Sequence, residues 1–270
     1  MVTCTHRKKI TSVTVRASKG GERLTSVTAY DYPTAKIADE AGVDILLVGD
    51  SLGMVVLGYP DTTKVTLDDI LHHTKAVARA KPLSLLVADL PFLTYGVDVR
   101  ETVRNAGRLI QEGGAEAVKL EGGVRVREDI RAVVDCQIPV MGHVGLTPQS
   151  FHAFGGFKIQ GKKSEDADRV LRDAVAVQEA GAFSVVLEGI PAALAGRITR
   201  EIDIPTIGIG AGPACDGQVL VLHDMLGLYP DFQPKFVKVY ANLGDATRSA
   251  FERFCREVRE GVFPGPEHSF

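Results

Sequence analysis

Residues 115–123 read AEAVKLEGG, and the placing of Lys119 and Glu121 two positions apart at the end of an apolar run decides how the chain is read. A strand points successive side chains to opposite faces, so Ala117, Lys119 and Glu121 share one face and Val118 and Leu120 the other. Unpaired charge is costly to bury. That face is therefore wet, or it holds something that needs both charges.

The same kind of run recurs on either side. TSVTAYD (25–31), DILLVGDS (44–51), LSLLVADLPF (83–92), AVKLEGG (117–123), PVMGHVG (139–145), FSVVLEGI (183–190), PTIGIGAG (205–212) and GQVLVLHD (217–224) are all short, apolar and rich in Val, Ile and Leu. Stretches of helical period lie between them, among them 66–81, 98–114, 125–135, 164–181 and 191–203. Thr66, Asp98 and Ser164 stand where N-caps belong, Pro191 at a first helical position, and Gly113, Gly114 and Gly181 at helix C-termini. Strands alternating with helices imply a parallel sheet with crossover helices. Eight such units in 270 residues predict an α/β protein closed into a (β/α)8 TIM barrel rather than an open doubly wound sheet. GQVLVLHDMLGL also reads as a helix start, and 246–262 as a final long helix. With no linker or low-complexity segment, residues 1–270 read as a single barrel domain. Residues 1–20, which include the basic cluster HRKK (6–9), read as a mobile N-terminal extension.

The composition, 45% hydrophobic and 24% charged, is that of a globular protein with a large core. A net charge of −3 with no long basic run speaks against a nucleic-acid groove. No apolar stretch is long enough to span a bilayer and no signal-peptide core follows Met1, so no membrane partner is expected. Cys4, Cys136, Cys215 and Cys255 are scattered without C-x-x-C spacing, which indicates neither a zinc site nor a disulfide framework and suits a cytoplasmic location.

The charges fall at strand ends. Asp50, Asp89, Lys119, Glu121, His143 and Glu188 each follow an apolar run at its C-terminal end, and in a barrel those ends form the rim that carries the active site. Any one acid alone reads as a cap for the next helix. Several converging carboxylates repel one another unless a cation or basic residues occupy the middle. Asp50, Asp89 and Glu121 are oxygen donors with no Cys–His cluster among them, a set that suits Mg²⁺, with Mn²⁺ or Co²⁺ able to substitute. Lys119 and His143 would serve an anionic substrate, or Lys119 forms a structural ion pair with Glu121 or a neighbour. Glu188, two strands beyond Glu121, reads as a base rather than a ligand. GIGAG (208–212) is either a phosphate-binding turn or simply a tight one, and the glycine-rich 142–162 reads as a functional lid.

Longer blocks carry a resemblance. TAYDYPTAKIADEAGVDILLVGDSLGM (28–54), ADLPF (88–92), VKLEGG (118–123), GHVGLTPQS (142–150), FGGFKIQG (154–161), GIGAGPACDGQVLVLHDMLG (208–227) and FPGPEHSF (263–270) resemble the 3-methyl-2-oxobutanoate (ketopantoate) hydroxymethyltransferase family from about residue 25 to the C-terminus. The resemblance implies a barrel of the phosphoenolpyruvate/pyruvate type. It implies transfer of a hydroxymethyl group from 5,10-methylenetetrahydrofolate to 3-methyl-2-oxobutanoate, giving 2-dehydropantoate, the first committed step towards pantothenate and coenzyme A. Asp50, Asp89 and Glu121 match the family's Mg²⁺ site, with Asp50 and Asp89 also bordering the substrate. Ser51 and Lys119 match contacts to the oxo acid, Glu188 the proton acceptor, and His143 a histidine near the substrate whose role stays open. Homo-oligomers, typically decamers, are implied as well. Lys64 stands where proline is expected and Gly189 where a cysteine is common, and neither departure removes a residue the chemistry requires. Two alternatives remain at this point. One is a Mg²⁺-dependent 2-oxo acid lyase or mutase on the same barrel, which commonly relies on a loop cysteine not found here. The other is a non-catalytic barrel.

Overall fold

The computed structural model describes residues 7–229 and 234–270. Eight strands form: β1 (Leu24–Thr28), β2 (Ile45–Val48), β3 (Leu85–Asp89), β4 (Ala117–Glu121), β5 (Val140–Gly145), β6 (Ser184–Glu188), β7 (Thr206–Ile209) and β8 (Gly217–Leu220). They pair in sequence order as a closed barrel, every pairing is parallel, and β8 returns to β1 through the register Leu24↔Gly217. The (β/α)8 architecture expected from the sequence is therefore the one that forms. Apolar runs bounded by helices have both faces to bury, which a parallel barrel provides.

The helices are α1 (Ser12–Ala17), α2 (Tyr32–Glu40), α3 (Leu52–Val55), α4 (Leu67–Ala78), α5 (Val99–Gln111), α6 (Arg127–Asp135), α7 (Phe151–Phe154), α8 (Ser164–Glu179), α9 (Ala192–Glu201), α10 (Leu222–Met225) and α11 (Leu243–Arg259). Thr66 caps α4 in a reciprocal box with Asp69, and Asp98 caps α5 by accepting from the Arg100 backbone N–H. Two starts differ by one residue from expectation. Lys163 is the cap of α8 and Ser164 its first residue, while Pro191 is the cap of α9 rather than its first residue.

The chain divides into two compact units, residues 1–220 and 221–270. The first holds the whole barrel. Its interior is filled by Leu24, Ile45, Leu47, Leu85, Val87, Met141, Phe183, Val186, Ile207 and Val219, and Val15 of α1 joins them, fully buried. Of the stretch read as an extension, residues 1–6 lie outside the described residues. Residues 7–20 are fastened to the barrel: Ile10 packs against the core, and the Lys9 ammonium donates to the Ser84 carbonyl (2.8 Å) and to Glu116 (2.6 Å). A six-residue helix with one inward apolar side chain carries no readable period, which is why the sequence did not announce it.

In the second unit, the run read as strand or helix start is resolved as both in succession: β8 closes the first unit at Leu220 and α10 begins at Leu222. The tail helix α11 spans three residues earlier at each end than 246–262 and buries none of its residues, although Phe251, Phe254 and Val258 lie on it. Among the described residues, no helix is long and apolar enough to cross a membrane.

Candidate active site

The register of the barrel builds the site. Asp89 at the end of β3 lies beside Lys119 of β4, and Glu121 beside His143 of β5. Lys119 and Glu121 share a face of β4, as their spacing requires, and the two charges meet there. The buried Lys119 ammonium stands 2.9 Å from Asp89 Oδ1, 3.5 Å from Glu121 Oε1 and 3.2 Å from His143 Nδ1. Asp50, two residues past β2, donates its backbone N–H to Asp89 Oδ2 at 3.2 Å. Ser51 follows it, and its hydroxyl shares a hydrogen bond of 2.8 Å with the Tyr30 hydroxyl.

His143 links this cluster to Glu188. Its Nδ1 is 3.4 Å from Glu121 Oε1 and its Nε2 is 3.2 Å from Glu188 Oε2. Nε2 also faces the Leu146 carbonyl at 3.1 Å; a carbonyl only accepts, so Nε2 carries a proton. Glu188 ends β6 and is the most open of these groups, its side chain 15% exposed against 2% for Glu121 and 4% for His143. The strand ends approach closely here because residue 145 is glycine: at φ +98°, a Cβ would sit 2.4 Å from the Glu188 carbonyl oxygen. The Leu146 N–H donates to that same oxygen at 2.8 Å.

The charges are unbalanced towards the negative. Burial, followed by repulsion from Asp89 and Glu121, raises the Asp50 pKa well above the ordinary carboxylate range. Burial also raises Asp89, against the pull of Lys119. In Glu121 burial is outweighed by Lys119 and His143, which hold its pKa down. For Lys119 burial is overcome by Asp89, Glu121 and Asp50, so the ammonium is held charged. In His143 burial and Lys119 disfavour the charge, but Glu121 and Glu188 prevail and raise its pKa to about 9.

Two residues the sequence reading did not single out complete the floor. Gln149, in the 3₁₀ turn Pro148–Ser150, donates its side-chain amide to Asp50, and Tyr95, in the loop after β3, hydrogen-bonds the Glu121 backbone and the Gln149 amide oxygen. Burial, then Glu121 and Asp89, raises the Tyr95 pKa and keeps the phenol protonated. Both residues lie in loops, where no periodicity points inward. The segment 142–162 is anchored at its start by Gln149 and open at its end, where Phe157 and Ile159 are exposed. GIGAG makes a turn with Gly210 and Gly212 at positive φ, the Gly212 carbonyl accepting from the Gln218 amide.

Among the described residues, no three His, Cys, Asp or Glu side chains converge into a ready-made metal cage. The donor set nevertheless fits a hard cation. Asp89 Oδ1 and Glu121 Oε1 are buried beside Lys119, in ion-pair range but accepting no hydrogen bond of good geometry, and all three carboxylates offer only oxygen.

A family model for ketopantoate hydroxymethyltransferase matches residues 8–266. The chain belongs to the ketopantoate hydroxymethyltransferase family. Within it, the chain is 59% identical over 265 residues to the 3-methyl-2-oxobutanoate hydroxymethyltransferase of Moorella thermoacetica, covering 98% of each chain. It is 60% identical over 250 residues to the enzyme of the same name from Geobacter sulfurreducens, covering 93% of this chain and 94% of that one. Among solved structures, it resembles phosphonopyruvate hydrolase complexed with oxalate and Mg²⁺, with a TM-score of 0.61, 16% identity and coverage of 96% and 93%. It also resembles 2,3-dimethylmalate lyase of the PEP mutase/isocitrate lyase superfamily, with a TM-score of 0.58, 17% identity and coverage of 96% and 91%. At these identities the likeness is one of fold. Membership of the hydroxymethyltransferase family makes the chain an enzyme, a one-carbon transferase.

Proposed function

We propose that this rim forms ketopantoate by abstracting the C3 proton of 3-methyl-2-oxobutanoate and adding the resulting carbon nucleophile to a one-carbon unit. The activity itself, hydroxymethyl transfer to 3-methyl-2-oxobutanoate in pantothenate biosynthesis, is the one that the family and its relatives at 59–60% identity are named for. The one-carbon donor in this reading is 5,10-methylenetetrahydrofolate. The observation that carries the mechanism is the division of the rim. Asp89, Lys119 and Glu121 are buried and ion-paired and Asp50 is buried on the Gln149 amide, whereas the Glu188 carboxylate is turned partly to the open side, with His143 between.

Asp50, Asp89 and Glu121 are the residues that would hold Mg²⁺. Bound there, the ion would supply a Lewis acid for the charge developing on the ketone oxygen. Lys119 provides a fixed positive charge for the substrate carboxylate, and the Ser51 hydroxyl a second contact. Glu188 takes the proton from C3. His143, with Nε2–H directed at Glu188, orients that carboxylate and hydrogen-bonds it while it awaits the proton. Water and the donor together supply the one-carbon unit at the formaldehyde level, its bonds to folate nitrogen breaking as tetrahydrofolate leaves. C3 bonds to that carbon, and the proton taken up at Glu188 balances the one its oxygen gains on becoming the product hydroxyl.

The cytoplasmic reading is supported by Cys136, Cys215 and Cys255, all free thiols. Homo-oligomer formation is supported by the exposed Phe251, Phe254 and Val258 of α11. The deciding experiment follows exchange of the C3 hydrogen of 3-methyl-2-oxobutanoate in D₂O by NMR, with and without Mg²⁺ and tetrahydrofolate. Exchange that requires the metal and vanishes in Glu188→Gln supports the mechanism. Folded protein that never exchanges this hydrogen would overturn it.

A further inference from the structure

Gln149 touches two of the three carboxylates at once. Its side-chain Nε2 donates to Asp50 Oδ2 and to the Leu90 carbonyl, both at 3.0 Å, and its backbone N–H donates to Glu121 Oε2 at 3.1 Å. The Leu90 carbonyl fixes which end of the amide is nitrogen, because a carbonyl cannot donate. The other end, Oε1, lies 2.6 Å from the Tyr95 hydroxyl. That hydroxyl accepts from the Glu121 backbone N–H at 3.2 Å, so its single proton is given to the nearer acceptor, Gln149 Oε1, rather than to the Glu121 carbonyl at 3.1 Å. Gln149 is itself only 5% exposed and so cannot exchange these partners for water.

The pattern across the site is regular. Asp50 Oδ2, Glu121 Oε2 and Asp89 Oδ2 each accept from a neighbouring N–H, the last from the Asp50 backbone. The opposite oxygens of Asp89 and Glu121 face the Lys119 ammonium at 2.9 and 3.5 Å and accept no hydrogen bond of good geometry. An N–H held on one oxygen takes up a lone pair there and fixes the plane of the group, which favours the other oxygen as the ligand over the two-oxygen mode.

We propose that Gln149, its amide oriented by Tyr95, is a positioning residue that makes Asp50 and Glu121 single-oxygen ligands and thereby biases the site towards a small octahedral cation over Ca²⁺. Mg²⁺ holds to six ligands at short range, whereas Ca²⁺ accepts two-oxygen carboxylates and higher coordination. The inference rests on the metal reading of Asp50, Asp89 and Glu121 given above.

The test measures Mg²⁺ and Ca²⁺ affinity by competition against Mn²⁺, followed by electron paramagnetic resonance, on full-length protein without substrates. Gln149→Met keeps the backbone N–H but removes all three side-chain contacts, to Asp50, Leu90 and Tyr95. Loss of such an outer contact typically weakens metal binding about 10- to 100-fold. We expect that loss for Mg²⁺, a smaller one for Ca²⁺, and a narrowed ratio between them. Tyr95→Phe should move both in the same direction by less, and it carries the test if Gln149→Met does not fold. Unchanged Mg²⁺ affinity and an unchanged ratio in a folded variant would overturn the role of Gln149. Asp89→Asn separates the two readings: if it also binds Mn²⁺ like the parent, or if the parent binds none, the metal reading itself has failed.

Discussion

Replacing Lys119 by Met tests the electrostatic account most directly. The ammonium is 3% exposed and lies within 3.5 Å of both Asp89 and Glu121, so its removal strands buried carboxylates without their counter-charge. Breaking a buried pair on one side costs about 3–5 kcal/mol. That loss should appear in urea unfolding at neutral pH without divalent metal, as a lower midpoint with an unchanged slope. The sign with pH follows from the carboxylates. Burial already raises the folded pKa of Asp89, and Lys119 is the chief group pulling it back, so the variant raises it further. A carboxyl whose folded pKa lies above its unfolded value destabilises the fold as pH rises through that interval, and the penalty disappears below the unfolded value. The variant should therefore recover stability relative to the parent as pH falls towards about 4. Mg²⁺ should recover it too. A ligand at a hundred times its Kd stabilises by about 2.7 kcal/mol, and a site freed of a competing ammonium should show a larger increment than the parent. Equal Mg²⁺ stabilisation of parent and variant, or a loss independent of pH, would refute the view that Lys119 and a cation share the same carboxylates.

Glu188→Gln should lower kcat by roughly 10²- to 10⁴-fold, the usual worth of a general base, while leaving Mn²⁺ affinity near that of the parent. Val15→Ala removes two buried carbons from the barrel interior and should cost about 2 kcal/mol in chemical denaturation, transfer and cavity terms together. Asp216 has its pKa lowered, burial notwithstanding, by the Thr206 and Gly20 N–H groups and by Lys19. Its stabilisation is present above the unfolded carboxylate pKa and is lost as pH falls through the folded value, so Asp216→Asn should flatten the acid limb of the stability profile. Light scattering should give a particle mass well above the 29.0 kDa of one chain, and Phe251→Glu together with Phe254→Glu should lower it.

The barrel was legible because the strands are short apolar runs between helical segments, and β2 to β6 carry a charged residue at or near the C-terminal end, which the register gathers. Asp89, Lys119, Glu121, His143 and Glu188 are strand positions, fixed in direction by alternation. The two options left open for Lys119 prove compatible, since the ion pair with Asp89 and Glu121 is what keeps its charge at the rim. Gln149 and Tyr95 were not legible: each enters from a loop whose backbone course no period encodes. Val15 was missed for a related reason, since burial of one residue on a short helix depends on a barrel floor built by chain far away in sequence.

The seam between β1 and β8 has a consequence for how the protein is made. Leu24 pairs with Gly217, so the first strand to leave the ribosome has no partner on one side until almost the whole first unit has been synthesised. At about 5–20 residues per second, that is an interval of roughly 10–40 s during which an unpaired strand edge is open to other chains. Solubility during synthesis is thus set by the wait for residues 217–220, and a chain truncated before them would keep that edge open permanently.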